Sequence, residues 1–474
     1  MSRPRQDGAL AIVLHSHMPY VEGFGTWPFG EEWLWEAVAC VYLPLLDVLD
    51  GAPVTLGLTP VLCDQFDAMR GDAGERYLRF LRDVRAPIHA EDAAGLADGG
   101  EPRLAAEVRR AAEDYTRAER SFEDRGRDLV SAFAALDRVE LWTSAATHGL
   151  LPLMATDAGV RLQVATGTAA HLRRFGDWGG GFWLPECAYV PGLERELADH
   201  GVRAFCVDQT GVPGFDHLTP VATGTGPVAV PIDWESVQLV WCEERGYPTD
   251  GGYRNYWGRT VHDLKPWSNA GDPYEHDAAL ELARGHARDF VRRTAEKFAG
   301  GGLLCFALDT ELLGHWWYEG LGWLRAVFDE ADALGLQLVT VSEGIELVEP
   351  TARPLAPSTW GRGKDFRTWD APAVAELAFD ARAAELETVA AVALHAEQHA
   401  ALERAARELL AMQSSDWPFM VARDLAADYP QERMRAHRFS LDAALAALTD
   451  SAAAPDPALR DLAPHLDLSP LTTP

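Results

Sequence analysis

Short apolar runs rich in β-branched residues recur along the first 345 residues of this chain of 474. Most are separated by segments with the apolar spacing of helices, as at 143–154, 192–201, 277–299 and 320–334. Alternating strands and helices form parallel sheets, and this number of repeats favours an α/β barrel. The runs that we predict as strands are ALAIVLH, PVTLGLTP, VELWTS, GFWLPE, VRAFCVD, VAVPI, SVQLVW, GLLCFALD and LQLVTVS.

Two long segments interrupt this alternation. Residues 70–138 are charged and rich in alanine, with apolar residues at helical spacing, which predicts a helical insertion between early strands. Residues 242–276 are rich in Gly, Pro, Tyr and Trp and lack periodicity. Because irregular loops of this length inside a compact domain are usually functional, we expect 242–276 to contribute to a site.

The C-terminal part of the chain has a different pattern. After a proline-containing link near 349–357, residues 372–412 and about 430–449 are rich in alanine and have helical spacing. We therefore predict two domains, a barrel domain over 1–348 and an α-helical C-terminal domain over 349–474.

The chain carries a strong negative charge. Its 42 Lys and Arg residues and 72 Asp and Glu residues give a formal net charge of −30 at pH 7. Such a charge repels phosphate backbones and anionic lipids, so neither nucleic acid nor a membrane is expected as a main partner. The apolar run at 9–14 is too short for a signal sequence, so we expect a cytoplasmic protein. The six cysteines form no C-x-x-C pair, which is typical of reduced thiols.

Polar side chains follow several of the predicted strands. The carboxyl ends of parallel strands share one face of a barrel, so residues far apart in sequence meet there. Glu186 follows GFWL and Pro185, which cannot donate a ladder hydrogen bond and so ends the strand. The other polar residues in such positions are His15 and His17 after ALAIVL, His148 after VELWTS, and Asp309, Thr310, Glu311 and His315 after GLLCFAL.

The pair His15 and His17 has two interpretations. Alternate residues at a strand end point to the same side, so the pair can chelate a metal. Together with Asp309 it would suit a metal-dependent amidohydrolase or deacetylase. Alternatively, the imidazoles bind substrate hydroxyls without a metal. The second interpretation is favoured because no further His or Cys set at strand ends completes a coordination shell.

Glu186 and Asp309 are the residue types that glycoside chemistry needs. One carboxyl group serves as nucleophile or base and the other as acid, on the two sides of the scissile bond. Taken alone, Asp309 could instead be a helix N-cap. Tryptophans bunch in FGTWPFGEEWLW, GHWWYEG, STWGRGKDFRTWD and SSDWPF, where indole rings could stack on sugars. Acids, histidines and tryptophans together favour a carbohydrate site.

A set of longer motifs resembles glycoside hydrolase family 57, and within it the 1,4-α-glucan branching enzymes. The motifs are HSHMPYV, LGLTPVLCDQ, SAATHGLLPL, FGDWGGGFWLPECAYVPGLE, ALDTELLGHWWYEG, STWG and SSDWPF. The resemblance implies a distorted (β/α)7 barrel with a helical insertion and an α-helical C-terminal domain that helps to build the cleft. It further implies an α-glucan substrate and a retaining double displacement without a metal or cofactor.

The resemblance also assigns roles to residues. Glu186 resembles the nucleophile of the family, and Asp309 its general acid/base, which requires a short separation between the two carboxyl groups. His15 and His17 resemble groups that bind hydroxyls of the sugar beside the cleaved bond. The remaining substrate-binding positions that it implies are Trp27, His148, His315, Trp316, Trp360, Asp416 and Trp417, with Tyr247 or Tyr253 as a capping tyrosine on a mobile catalytic loop.

The segment 242–276 departs from the family pattern. It occupies the place of the catalytic loop, but the stretch that follows it is shorter and RNYWGRT replaces a more acidic run. Branching requires a glucan hydroxyl to react faster than water, and a loop that shields the intermediate favours this. Hydrolysis of α-1,4-glucan and 4-α-glucan transfer are therefore alternatives to branching. A further alternative is a non-catalytic glucan-binding protein.

Overall fold

Ten strands form one sheet in the part of the chain that this computed structural model describes, residues 8–212, 214, 216–395, 397–449 and 461–472. They are β1 (Gly8–Ser16), β2 (Thr55–Leu58), β3 (Glu140–Ser144), β4 (Gly181–Trp183), β5 (Ala204–Asp208), β6 (Val221–Ala222), β7 (Val228–Ile232), β8 (Gly302–Asp309), β9 (Gln337–Val339) and β10 (Thr351–Ala352). Seven of them, β1 to β5, β7 and β8, pair in parallel in this order, and β8 pairs with β1 to close a ring. The predicted seven-stranded α/β barrel is confirmed.

The strands of the ring are covered on both sides, which explains their continuous apolar sequences. All nine residues of β1 are buried. In the register of β1 and β8, His15 lies opposite Asp309. A histidine from the first strand of the ring and a carboxylate from its last strand thus become neighbours. Outside the ring, β9 pairs with β1, β6 runs antiparallel to β7, and β10 pairs with β6.

Seventeen α-helices lie within the described residues, none long and apolar enough to cross a bilayer. They are α1 (Glu31–Ala37), α2 (Leu43–Leu49), α3 (Pro60–Ala68), α4 (Asp72–Arg79), α5 (Ala86–Asp98), α6 (Pro102–Asp124), α7 (Leu129–Ala134), α8 (Asp157–Phe175), α9 (Leu193–Asp199), α10 (Trp234–Trp241), α11 (His276–Glu296), α12 (Gly320–Leu334), α13 (Val341–Leu347), α14 (Ala375–Leu394), α15 (His399–Met412), α16 (Asp416–Ala422) and α17 (Tyr429–Ala446).

The segment between β2 and β3 is a helical insertion, as the fold prediction required. Residues 70–138 contain α4 to α7 and one π-helical turn, Phe80–Arg85, between α4 and α5. Its helices α5 and α6 pack against each other, and Leu264 from the irregular segment 242–276 completes their small apolar core. The irregular segment therefore rests on the insertion.

Two sequence predictions of secondary structure are wrong. The run SVQLVW forms α10 rather than a strand, because the Asp233 carboxylate accepts a hydrogen bond from the Ser236 amide and caps the first turn. The helix predicted at 143–154 does not form. There β3 extends to Ser144, and His148 then adopts a φ of 59°, which an α-helix excludes.

Helices α14 to α17 form a group with its own apolar core, which includes the fully buried side chains Leu402, Leu409 and Leu441. This core extends to Tyr20 beyond β1, so the C-terminal helices pack on the loops at the carboxyl ends of the strands. The turn between α15 and α16 pairs with the loop after β3 through a Gly149–Ser414 bridge. The C-terminal helices thereby bring side chains to the end of the barrel.

Candidate active site

Glu186 lies in a strained turn directly beyond β4. The strand ends at Trp183, and the residues Pro185–Cys187 form a single 3-10 turn. Glu186 has a φ of 59° and Cys187 a φ of 49°, in the left-handed region that side chains other than glycine and asparagine rarely adopt. Such strain persists only where the surroundings impose it, and the carboxylate of Glu186 is held from two sides.

Two donors hold that carboxylate. The indole Nε1 of Trp360 donates to Oε2 at 3.0 Å, and the hydroxyl of Ser415 donates to Oε1 at 3.0 Å. Burial raises the pKa of Glu186 to about 7, and the two donors oppose this rise because they stabilise the ionised form. A carboxylate that two donors hold in a fixed orientation is suited to nucleophilic attack.

Asp309 ends β8 and has different surroundings. Its side chain does not cap the turn that follows, so the N-cap interpretation is wrong. Burial raises its pKa well above the ordinary value, and the charges of Glu311 and Glu186 raise it further. The surroundings therefore act differently on the two pKa values. The donors to Glu186 favour its ionised form, whereas the negative charges near Asp309 favour its protonated form.

A chain of hydrogen bonds links three further residues to Glu186. His15 Nε2 lies 3.0 Å from His148 Nε2, and His148 Nδ1 lies 2.9 Å from the Ser415 hydroxyl. Burial holds the pKa of both histidines well below its usual range, so both are neutral. Because Ser415 donates to Glu186, it accepts from His148 Nδ1–H, and His148 Nε2 then accepts from His15 Nε2–H. The remaining His15 Nδ1 is an unpaired acceptor, consistent with its lack of a hydrogen-bond partner among the described residues.

His17 and Asp416 form an ion pair beside this chain. His17 Nε2 lies 2.8 Å from Asp416 Oδ2, and the pair joins a residue beyond β1 to the start of α16. Burial opposes both charges, but His17 and its hydrogen bond lower the pKa of Asp416 to about 2, and Asp416 raises the pKa of His17. A positive imidazolium is therefore fixed in an otherwise acidic cleft.

His17, His148 and Asp416, here the histidine–aspartate cluster, also have the geometry of a possible metal site. Their ligand atoms lie within 4.8 Å of one another. Two imidazoles and a carboxylate suit a cation such as zinc. However, His17 Nε2 and Asp416 Oδ2 already bond to each other, so a metal would have to replace that ion pair. The chemistry of the donor set alone does not require a metal.

Glu311 is a third carboxyl group near Asp309; it is half-buried, and no role was predicted for it. It accepts hydrogen bonds from the backbone N–H of His17, at 3.1 Å, and from the hydroxyl of Tyr42. Burial raises its pKa to about 7, and the Tyr42 hydroxyl opposes the rise. Ser415 was likewise missed. Both residues adjoin positions that were predicted. Glu311 lies two residues after Asp309 in the run DTE, and Ser415 precedes Asp416 and Trp417 in the run SSDW.

The aromatic residues predicted for the site separate into two groups. Trp360 bonds to Glu186, whereas Trp27 is 75% exposed and Trp316 is 47% exposed. Trp316 packs against Tyr256 of the irregular segment, with ring centroids 4.4 Å apart. His315 also contacts Tyr256. Trp27 and His315 line a large cavity whose lining includes neither Glu186 nor Asp309.

Three predicted positions do not reach the cleft. Trp417 is buried in the C-terminal core, and its indole N–H donates to the Ala411 carbonyl, so it does not line a groove. Tyr247 and Tyr253 are also buried, and their hydroxyls pair with Asp289 and His286 of α11. Neither tyrosine caps the site in this structure. The sequence could not distinguish stacking aromatic residues from packing ones, because both occur beside Gly and Pro.

Comparison with known proteins identifies the family of this chain. A model of glycosyl hydrolase family 57 matches residues 11–232, and a model described as "1,4-alpha-glucan branching enzyme, C-terminal" matches residues 380–465. A 1,4-α-glucan branching enzyme of Thermococcus kodakarensis is 31% identical over 91% of this chain and 72% of its own length. A Mycobacterium tuberculosis protein, "Probable 1,4-alpha-glucan branching enzyme", is 32% identical over 91% of this chain and 90% of its own. The chain belongs to glycosyl hydrolase family 57.

Within this family the similarity extends to the whole molecule. The crystal structure of a family 57 branching enzyme from Pyrococcus horikoshii superimposes with a TM-score of 0.92 at 28% identity, covering 98% of this chain and 97% of that one. Both the barrel and the C-terminal helices therefore have their counterparts in a branching enzyme.

Proposed function

We propose that the chain is a 1,4-α-glucan branching enzyme that acts by a retaining double displacement. The observation that carries this proposal is the asymmetry of the two carboxyl groups. Glu186 accepts two hydrogen bonds, whereas Asp309 faces neighbouring negative charges. A retaining glycosidase needs one ionised and one protonated carboxyl group at neutral pH.

In the first step the Glu186 carboxylate attacks the anomeric carbon of an α-1,4-linked glucosyl unit. Asp309 donates its proton to the departing 4-oxygen, so a covalent glycosyl ester and a free 4-hydroxyl result. In the second step the Asp309 carboxylate takes the proton of an acceptor 6-hydroxyl. That oxygen attacks the anomeric carbon, the ester bond to Glu186 breaks, and an α-1,6 linkage forms.

The histidines organise the donor site in this proposal. Both ring N–H groups of the His17 imidazolium donate within the protein, to Asp416 and to Thr59, so His17 supplies a fixed positive charge. Neutral His15 and His148 fix the Ser415 hydroxyl towards Glu186. Asp416 maintains the charge of His17. The barrel domain 1–348 supplies both carboxyl groups, and the domain 349–474 supplies Ser415 and Trp360.

Product analysis tests the proposal. Amylose is incubated with the protein, and the increase in α-1,6 linkages after enzymatic debranching is compared with the increase in reducing ends. Branching gives new α-1,6 linkages with few new reducing ends, and Glu186→Gln should give neither product. Reducing ends without new branches would contradict the proposal.

Hydrolysis is the second candidate, and one observation favours it. The irregular segment is anchored to the insertion, because Asp92 of α5 accepts hydrogen bonds from Thr260 and His262, and Arg254 pairs with Glu107 of α6. A segment held in this way is less free to close over Glu186 and exclude water. The same product analysis separates the two candidates.

A further inference from the structure

The segment 356–365, here the Trp360 loop, runs along the turn that carries Glu186. Tyr189 and Ser358 exchange two backbone hydrogen bonds, of 2.9 and 3.1 Å. The backbone N–H of Trp360 donates to the carbonyl of Glu186 at 3.0 Å, and its indole N–H donates to the carboxylate of the same residue. The position of this loop therefore decides where one of the two carboxylate donors lies.

The sequence of the Trp360 loop does not fix this position by itself. It reads APSTWGRGKD, so two glycines closely follow the tryptophan. Gly363 has a φ of 76° and Lys364 a φ of 60°, and the chain turns back sharply at these residues. A left-handed lysine costs free energy and persists only where the surroundings impose it. The conformation of the loop therefore depends on what the Lys364 side chain contacts.

Lys364 has a partner for each of its three N–H donors. Its Nζ lies 2.6 Å from Asp208 Oδ2 and 3.4 Å from the Trp360 carbonyl oxygen. The third partner is the ring of Trp234, the first residue of α10, whose centroid lies 3.0 Å from Nζ. Burial lowers the pKa of Lys364, and Asp208 opposes this because it stabilises the charged form. One charged group thus ties the loop to the barrel.

Asp208 is a rigid anchor for that group. It is the last residue of β5, which pairs with β4, the strand that leads to Glu186. Its side chain is 1% exposed. Its other oxygen, Oδ1, accepts hydrogen bonds from the backbone N–H and the hydroxyl of Thr210, at 2.9 and 2.7 Å. Since both oxygens are bonded, the carboxylate has one orientation, and the loop is fixed to the strand beside β4.

The charge of Lys364 does not act on Glu186 directly. Asp208 balances it at 2.6 Å, so the field of the pair at Glu186 is small. What Lys364 can change is the position of Trp360 Nε1. The titratable groups that face Glu186 come from other elements, and they are His17 after β1, His148 after β3, Asp309 at the end of β8 and Asp416 of α16.

We propose that Lys364 and Asp208 position the nucleophile, because they hold the Trp360 loop where its indole N–H bonds to Glu186. In this role neither residue touches the substrate, and both act through Trp360. The inference rests on the proposed function, since it takes Glu186 as the nucleophile. It adds a tether between the barrel and the C-terminal part of the chain that acts at the reacting carboxylate.

The pH profile of α-1,4 cleavage tests this tether. Lys364→Met removes the ammonium group, so the acidic limb of kcat/KM should move to higher pH by about one unit, and kcat/KM at pH 7 should fall about fivefold. Trp360→Phe removes the N–H itself and should give the same shift, and the two changes together should shift the limb no further. Lys364→Met combined with Asp208→Asn leaves no unpaired charge in the interior and should have the same limb as Lys364→Met.

Lys297 provides a matched control. Its ammonium group bonds to the buried carboxylate of Asp233 at 2.8 Å, and this pair joins the C-cap of α11 to the N-cap of α10. Lys297→Met should lower Tm as Lys364→Met does but leave the acidic limb at its native pH. A native limb in Lys364→Met, or shifts that add when Trp360→Phe is combined with it, would overturn the inference.

NMR supplies a readout that is independent of turnover. In protein labelled with ¹⁵N-tryptophan, the indole N–H signal that is absent from Trp360→Phe belongs to Trp360. This signal should titrate with Glu186, with a midpoint near pH 7, and should lose that titration in Lys364→Met but not in Lys297→Met. An unchanged titration in Lys364→Met would also overturn the inference. If the native protein cleaves no glucan, the proposed function fails, whereas the NMR titration still reports whether Lys364 holds the indole on Glu186.

Discussion

Ser415 allows the electrostatics of the site to be tested with one atom. Ser415→Ala removes one of the two donors to the Glu186 carboxylate and leaves Trp360 in place. A hydrogen bond to a charged group contributes about 1.5–3 kcal/mol. Since one pKa unit corresponds to about 1.4 kcal/mol, the lower value raises the pKa of Glu186 by about one unit.

The sign and size of the effect follow from the native pKa of about 7. Losing a donor disfavours the ionised form, so the acidic limb of the pH profile of kcat/KM moves to higher pH by about one unit. At pH 7 the ionised fraction of Glu186 falls from about one half to about one tenth, and kcat/KM should fall about fivefold. The deficit should shrink as the pH rises.

The assay is the initial rate of glucan cleavage and transfer on amylose between pH 5 and 9. Ser415→Thr keeps a hydroxyl, so the acidic limb of its pH profile should lie at the same pH as in the native protein. Ser342→Ala removes a hydroxyl that bonds to Glu140 of β3, away from the carboxyl groups, and controls for loss of stability. The reasoning is refuted if the acidic limb of Ser415→Ala coincides with that of the native protein.

Four other outcomes are expected. Asp309→Asn should lower α-1,4 cleavage about 10²- to 10⁴-fold but affect a nitrophenyl glycoside less, since that leaving group needs no proton; equal losses would argue against an acid role. Glu311→Gln removes a negative charge that favours protonated Asp309, so the alkaline limb of the profile should move to lower pH, and an unmoved limb would contradict the coupling. Dialysis against a chelator should leave activity unchanged, whereas loss that zinc restores would favour a metal in the histidine–aspartate cluster. The folded pKa of Asp416 is about 2, below the unfolded value, so its ion pair with His17 stabilises the fold above about pH 4 and this benefit is lost as pH falls towards 2. Because His17 must be protonated and its folded pKa lies above the usual 6.5, the benefit is also lost as pH rises through that pKa. The difference in Tm between native protein and Asp416→Asn should therefore be largest between these limits in calorimetric scans.

Much of the barrel was predictable because its strands are short, apolar runs that alternate with helical segments. The exceptions have local causes. SVQLVW has the composition of a strand, but Asp233 in front of it supplies a helix cap, and a pattern of apolar residues alone cannot distinguish a buried helix from a strand. The two-residue strands β6 and β10 are too short to leave any periodic signal.

The site was predictable only where motif and strand end coincide. Glu186 and Asp309 follow apolar strands, and the parallel topology brings such ends together. Ser415 comes from the turn between two C-terminal helices, and its contact with Glu186 spans 229 residues, which no local spacing encodes. Trp417 and the two buried tyrosines were predicted as site residues but pack in the interior. Aromatic composition does not tell which side of a helix or loop faces the core.

The left-handed backbone at Glu186 has a consequence for how this protein could be stabilised. Residues held in such conformations cost about 1–3 kcal/mol each, and an ionised carboxylate buried beside others adds a further cost. Asparagine accepts this backbone conformation more readily than glutamate and carries no charge. Glu186→Asn should therefore yield a protein that melts at a higher temperature but forms no glycosyl ester. Selection for heat resistance alone would remove the proposed nucleophile, so any programme of thermostabilisation must screen for turnover at every round.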